Sequence, residues 1–161
     1  MRWTCDVELD PNVLHVAIRW LHVAAMATAF GGAVTVLALA TRPSVASAGA
    51  VVAVAVRYEW IFWAAAGVLA MTGIGNLAAF GAALLGPSTD WGATFLLKLG
   101  SVLVLVLLSL PRTLAVARIS AAVGGDAHGS VTTLRNLYGA TTALFTVILA
   151  LAVWLAHGVA G

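Results

Sequence analysis

Four long apolar runs dominate this sequence and constrain what it can fold into. They cover about 12–40, 58–85, 91–110 and 131–157. Each run reaches the roughly 20 residues that a helix needs to cross the hydrocarbon core of a bilayer. Hydrophobic residues make up 62% of the chain and charged residues 9%, whereas soluble domains carry about 25% charged residues. The sequence therefore predicts an all-α integral membrane bundle of four transmembrane helices, built as one domain over residues 1–161.

The charges in the connections predict how the bundle is oriented. Arginines flank the first and third connections: Arg42, Arg57, Arg112, Arg118 and Arg135. The second connection contains Asp90 and no basic residue. Because cytoplasmic loops are enriched in Lys and Arg, we expect the first and third connections inside the cell. Both termini are then outside, and the chain is a multi-pass protein of the cell membrane.

A small set of polar side chains within the apolar runs supplies the candidate functional residues, because such groups are costly in lipid. The set consists of His15, Arg19, His22, Asn76, Lys98 and His157. At 100° per residue, His15, Arg19, His22 and Met26 fall within roughly 60° of one helix face. We expect this stripe to face the interior of the bundle.

The helix rise places these groups at similar depth. At about 1.5 Å per residue, His22, Lys98 and Asn76 lie roughly 10–15 Å from the outer ends of their runs, and His15 and His157 lie within about 5 Å. We find no comparable group in the inner half and interpret that half as packing, with arginines at the cytoplasmic edge. The outer half is therefore the predicted site.

Haem b is the first ligand that suits this set, because imidazole is a common ligand of haem iron. His15 and His22 lie two helical turns apart, about 10.5 Å, which suits one large ligand better than one ion. His22 is the leading axial ligand, with His15, Lys98 or His157 as its candidate partner. Arg19 or Lys98 would pair with a propionate.

Copper is the competing ligand. Imidazole and thioether groups both suit this metal, and the i, i+4 spacing of His22 and Met26 lets both reach one ion. His15 would then belong to an entry path from the outside, and His157 is a further candidate ligand.

Two short motifs resemble those of the copper resistance protein D (CopD) family. The first is Arg19 to Ala25, which contains a Leu-His pair and is followed by Phe30-Gly31-Gly32; the second is Phe95 to Gly100, which contains Leu-Leu-Lys-Leu. The related HemJ-type protoporphyrinogen oxidases also carry a Leu-His in the first helix and a Lys in the third. The resemblance implies a helical bundle with a polar site that includes His22 and Lys98. It links the chain to copper handling or, through the HemJ branch, to haem b.

One departure from the family pattern bears on activity. The segment from Leu134 to Tyr138 lacks the glutamate that is typical near the start of the last helix, so HemJ-type oxidase activity is the weaker expectation.

Three functional hypotheses follow. The first is a b-type haem protein for electron transfer or a small redox subunit, the second a copper-binding or copper-permeating protein, and the third a structural subunit of a larger membrane complex. The lipid bilayer is the expected partner in all three, and the chain is compatible with a redox partner or a homo-oligomer. The sequence has no nucleic-acid-binding patch.

Overall fold

The computed structural model describes residues 11–42, 47–80, 86, 88–122 and 127–157. These residues form four α-helices: α1 (Pro11–Thr41), α2 (Ala48–Phe80), α3 (Asp90–Ala121) and α4 (Ala127–His157). All four are long and apolar enough to cross a membrane. With 31 to 33 residues each, they are about 46–50 Å long, which exceeds the roughly 30 Å of hydrocarbon in a bilayer. The all-α, four-helix prediction is confirmed.

The helices form a four-cornered bundle. α1 packs against α2 and α4, and α3 packs against the same two helices, while within the described residues α1 and α3 make no direct backbone approach. α1 and α3 therefore lie at opposite corners. We call the end of the bundle at which α1 begins the upper end, and the end at which α2 begins the lower end.

Two helices extend at one end far beyond the apolar runs that predicted them. α2 begins at Ala48, well before the predicted start at residue 58, so the weakly apolar segment before that position is part of the helix. α3 passes through Pro111 and continues to Ala121. Proline removes one backbone donor, so the carbonyl of Leu107 loses its helical partner, but the helix does not end there.

Small residues on α1 let α2 approach closely. The buried face of α1 contains Ala25, Ala29, Ala33, Val36 and Ala40. Small residues at a helix interface allow close packing of membrane helices. Here they make room for the ring of Tyr58, whose hydroxyl donates to the carbonyl of Ala29 at 2.9 Å.

The outside of the bundle is apolar, as a lipid solvent requires. Leu103 and Leu114 of α3 are 59% and 58% exposed. Two tryptophans, Trp60 of α2 and Trp154 of α4, are also exposed. Trp63 differs, because its indole nitrogen donates to Thr113 inside the bundle.

Candidate functional site

His22 is the member of the predicted site that the bundle holds most firmly. It is half-buried on α1, and its Nδ1 lies 2.8 Å from the hydroxyl oxygen of Thr72 on α2. Gly73 leaves space beside the ring, since a Cβ there would lie 3.9 Å from His22 Cε1. The imidazole is therefore fixed in the interface between α1 and α2.

The hydrogen bonds of Thr72 assign the proton on this ring. The Thr72 hydroxyl donates to the carbonyl of Val68 at 2.7 Å, and a hydroxyl has one proton to give. Nδ1 of His22 must then be the donor to Thr72. We therefore assign the tautomer with Nε2 unprotonated, and its lone pair is available to a metal or to haem iron.

Lys98 lies on α3, the helix at the corner opposite α1. It is half-buried and close enough to His22 for their charges to interact. Asn76 of α2 is also half-buried, and its buried Oδ1 atom has no hydrogen-bond partner among the residues that the structure describes. The upper half of the bundle thus contains three half-buried polar side chains on three helices.

The remaining predicted site residues differ in their exposure. His15 is half-buried, whereas Arg19 and His157 are exposed. Nδ1 of His157 bonds to the Val153 carbonyl one turn earlier at 2.9 Å. The expectation that the whole stripe on α1 faces the interior is wrong for Arg19, because the buried face of the helix is centred on its alanines.

Among the described residues, no three His, Cys, Asp or Glu side chains come together as a group that could hold a metal ion. Met26, one turn after His22, is partly buried and packs against the hydrophobic core. These residue types therefore do not form a closed metal centre in the described part of the upper half. The ligand types that the α1 stripe brings into the bundle are imidazole and thioether.

The lower half contains an ion pair that the sequence analysis did not predict. Arg112 of α3 is fully buried and Glu59 of α2 is 5% exposed. Arg112 donates through Nε to Glu59 Oε1 at 2.8 Å and through Nη2 to Oε2 at 3.2 Å. This two-point geometry is the strong form of an arginine–carboxylate contact.

Further side chains complete the hydrogen bonding of this pair. Tyr138 of α4 donates to Glu59 Oε1 at 2.6 Å, and the Thr113 hydroxyl donates to Oε2. Arg112 also donates through Nη1 to Thr141 at 3.0 Å. We call Glu59, Arg112, Thr113, Tyr138 and Thr141 the lower cluster. It joins α2, α3 and α4.

Aromatic rings enclose the guanidinium of the lower cluster. The Cζ atom of Arg112 lies 4.3 Å from the centroid of Phe62, 5.2 Å from that of Tyr138 and 5.3 Å from that of Tyr58. Contacts at these distances are attractive, more so where water is excluded.

The lower cluster corrects two expectations. Arg112 was counted among the arginines of the cytoplasmic edge, but it is buried, and the inner half is not packing alone. A signal was present, since Glu59 is an acidic residue inside the second apolar run. An ionisable group at such a position is a functional candidate by default. Its partner Arg112 does not stand out in the sequence, because it follows Pro111, just after the predicted end of the third run.

Comparison with known proteins places the chain in a family. A family model of copper resistance protein D matches residues 52–155, whereas no curated protein and no solved structure matches the chain. The matched segment includes Glu59, Lys98 and Arg112, and α1 with His22 precedes it. Since the match covers well over half of the 161 residues, the chain belongs to the copper resistance protein D family of multi-pass membrane proteins.

Proposed function

We propose that this protein binds copper(I) in the upper half of the bundle, through His22 and Met26, and passes the ion on through the membrane. One observation carries the choice of site. Thr72 holds the His22 ring so that its Nε2 lone pair is free. Family membership supports copper as the ligand.

The ligand chemistry of the His22 imidazole and the Met26 thioether agrees with copper(I) as the bound ion. Imidazole and thioether are ligands that copper accepts, and thioether in particular favours copper(I). Met26 follows His22 by four residues, and side chains at this spacing are neighbours on a helix. Both ligands therefore come from one element and need no rearrangement of the bundle to act together.

The charge of Lys98 makes this a site for transfer rather than storage. A charged ammonium group near His22 would repel a bound cation and weaken copper binding. A group that conducts an ion has to bind it weakly enough to release it. The repulsion is in line with a protein that moves copper.

The direct test is copper(I) binding by the purified full-length protein, measured without oxygen by competition with a chromogenic chelator. We expect His22→Ala to lower the affinity by roughly 10-fold or more. His157→Ala is the matched control, because that histidine is exposed at the end of α4. The affinity of this variant for copper(I) should equal that of the unmodified chain. Equal affinity in His22→Ala would reject the proposed site.

The role of the thioether is tested in the same assay. Met26→Leu keeps an apolar side chain of similar volume and should weaken binding, while Met71→Leu should not. Met71 is 77% exposed on α2 and faces away from the bundle. If the two variants had the same affinity for copper(I), Met26 would not be a ligand of the ion.

Haem b remains the alternative, because a fixed imidazole with a free Nε2 beside a cationic side chain also suits an anionic porphyrin. The family match favours copper over this hypothesis. Absorption spectra of the purified protein before and after dithionite separate the two. A Soret band that shifts on reduction and is lost in His22→Ala would replace copper by haem as the ligand of this histidine.

A further inference from the structure

A groove lies between α2 and α3 at the lower end of the bundle. Its volume is about 750 Å³, and α2 supplies most of its lining while α3 supplies Ser120. It lies on the side of the bundle where the contact between neighbouring helices is least extensive. Because the outside of the bundle faces lipid, the groove opens to the leaflet at the lower end, which we call the lower leaflet.

The position of Arg57 and Trp60 on α2 places this groove at the membrane boundary. α2 is about 50 Å long and the hydrocarbon of a bilayer about 30 Å thick, so about 10 Å of helix extends beyond each side of a centred bilayer. Arg57 follows Ala48 by nine residues, about 14 Å along the helix, and its side chain can extend to the level of the phosphates. Trp60 is 80% exposed about one turn deeper, near the boundary at which membrane tryptophans are enriched.

The two halves of the groove differ in the size of their side chains. The half nearer the lower end contains Gly49 and Ala53, both exposed, and their small size leaves room at the level of the lipid headgroups. The deeper half contains Val56 and Ile61. A gap beside apolar side chains deprives them of van der Waals contacts, and lipid tails are as apolar as leucine. The deeper half therefore suits a hydrocarbon chain.

The lower end carries positive charge without a matching negative charge among the described residues. Arg57 is exposed, and the ion pair of the described residues joins Arg112 to Glu59 and does not include it. The acidic residues in the described ranges are Glu59, which is buried in that pair, and Asp90, which begins α3 at the upper end. The exposed arginines at the lower end are Arg42, Arg57, Arg118 and Arg135. This end of the bundle therefore attracts an anion.

We propose that the groove between α2 and α3 is a binding site for an anionic phospholipid of the lower leaflet. The phosphate contacts the guanidinium of Arg57, whose planar fork matches phosphate geometry, and one acyl chain lies along Val56 and Ile61. Basic pockets between membrane helices on the cytoplasmic side bind anionic headgroups. The bound lipid bridges α2 and α3 on the side where neighbouring helices contact each other least. The site goes beyond the proposed copper site and is measured without copper, so either proposal can fail alone.

The first test compares an anionic with a zwitterionic lipid. Phosphatidylglycerol and phosphatidylcholine with identical acyl chains are titrated into the purified full-length protein in detergent, and the first bound lipid is followed by native mass spectrometry. We expect phosphatidylglycerol to bind at least about 5-fold more tightly, the effect of one arginine on an anionic lipid. Equal affinities would mean annular lipid only and would overturn the proposal.

The second test asks whether Arg57 supplies this preference. Arg57→Gln removes the charge and should lower the affinity for phosphatidylglycerol by about 5-fold while leaving that for phosphatidylcholine unchanged. Arg42→Gln is the matched control, because Arg42 is exposed at the same end of the bundle and does not line the groove. Its affinities should equal those of the unmodified chain. Equal losses in the two variants would indicate a general attraction to the positive end and would reject the site at Arg57.

The third test fills the groove without changing charge. Ala53→Trp occupies the space for the headgroup and should reduce the affinity for phosphatidylglycerol to that for phosphatidylcholine. Ala140→Trp makes the same change at an exposed position of α4 outside the groove and should have no effect. Circular dichroism and size-exclusion chromatography verify that both variants are folded. An undiminished preference for phosphatidylglycerol in Ala53→Trp would place the lipid elsewhere and overturn the proposal.

A soluble competitor separates a lipid site from a simple phosphate site. Glycerol 3-phosphate has the charged group of the lipid but no acyl chain. At millimolar concentration it should leave phosphatidylglycerol bound, because the chain contacts along Val56 and Ile61 are missing from the competitor. Displacement of the lipid would show that the phosphate alone determines binding and would reject the groove as a lipid site.

Discussion

Thr72 decides which nitrogen of His22 is free to bind a ligand. Its hydroxyl proton goes to the Val68 carbonyl, so its oxygen accepts from Nδ1 of the imidazole. A second residue that orients a ligating histidine in this way contributes to metal affinity, typically by 10- to 100-fold. Thr72 is buried, so water cannot readily replace it.

We therefore predict that Thr72→Val lowers the affinity for copper(I) by about 10-fold. The variant keeps the shape of the side chain but removes the oxygen that holds the ring. Thr72→Ser keeps the oxygen and should bind as the unmodified chain does, which makes it the matched control. The chelator-competition assay measures both, and a Thr72→Val protein with unaltered affinity would show that His22 needs no orientation.

At the scale of single residues, the sequence predicted ionisable side chains of the site but not the residues that form hydrogen bonds with them. His22 and Lys98 stand out in a sequence because ionisable side chains within apolar runs are rare. Thr72 does not stand out, since threonines are ordinary in membrane helices. It becomes important only because the fold places it beside His22, fifty positions away in the chain. The same holds for Tyr138, whose hydroxyl finds Glu59 across the bundle.

At the scale of the helices, the contact between α1 and α2 depends on Gly32. The ring of Tyr58 lies over this position so closely that a Cβ there would be 2.5 Å from its Cδ2 atom. A Cβ placed on the adjacent Gly31 would have no neighbouring atom within 4 Å among the described residues. Two consecutive glycines thus have different roles, one as a packing position and one facing outward.

We predict that Gly32→Ala destabilises the protein by about 1–3 kcal/mol, the usual cost of inserting an atom into a packed interface. Tyr58 cannot move aside cheaply, because its hydroxyl is bonded to Ala29 and its ring packs on Arg112. Gly31→Ala should leave the free energy of unfolding nearly unchanged. Unfolding in mixed micelles with increasing SDS measures both, and equal losses for the two variants would contradict the assigned contact.

The sequence predicted the number of helices correctly because the length of an apolar run reports directly on the ability to cross a bilayer. It placed helix boundaries less well, since hydropathy marks the segment that lies in lipid and not the segment that is helical. The lower part of α3 extends beyond the third apolar run and contains Arg112, the partner of Glu59. The lower cluster was missed mainly for that reason.

At the scale of the whole molecule, the two polar centres are stacked along one bundle. Thr72, which holds His22, and Glu59 of the lower cluster are thirteen residues apart on α2, a separation of about 20 Å. Aromatic packing lies between them, with Phe62 in edge contact with Phe145 and Phe145 with Phe30. An ion released from the upper site would meet this packing first and the lower cluster next.

The orientation of the bundle decides from which side of the membrane copper would reach the His22 site of the proposed function. The exposed arginines of the described residues lie mainly at the lower end: Arg42, Arg57, Arg118 and Arg135. Because positive charge marks the cytoplasmic side, we predict that the lower end faces the cytoplasm. In a Cys5→Ser background, exposed Ser88 at the upper end and exposed Ala122 at the lower end can each be replaced by cysteine. A membrane-impermeant maleimide should label Ser88→Cys in intact cells and Ala122→Cys only after permeabilisation. The reverse pattern would invert the orientation, so that the half of the bundle that contains His22 would lie toward the cytoplasm.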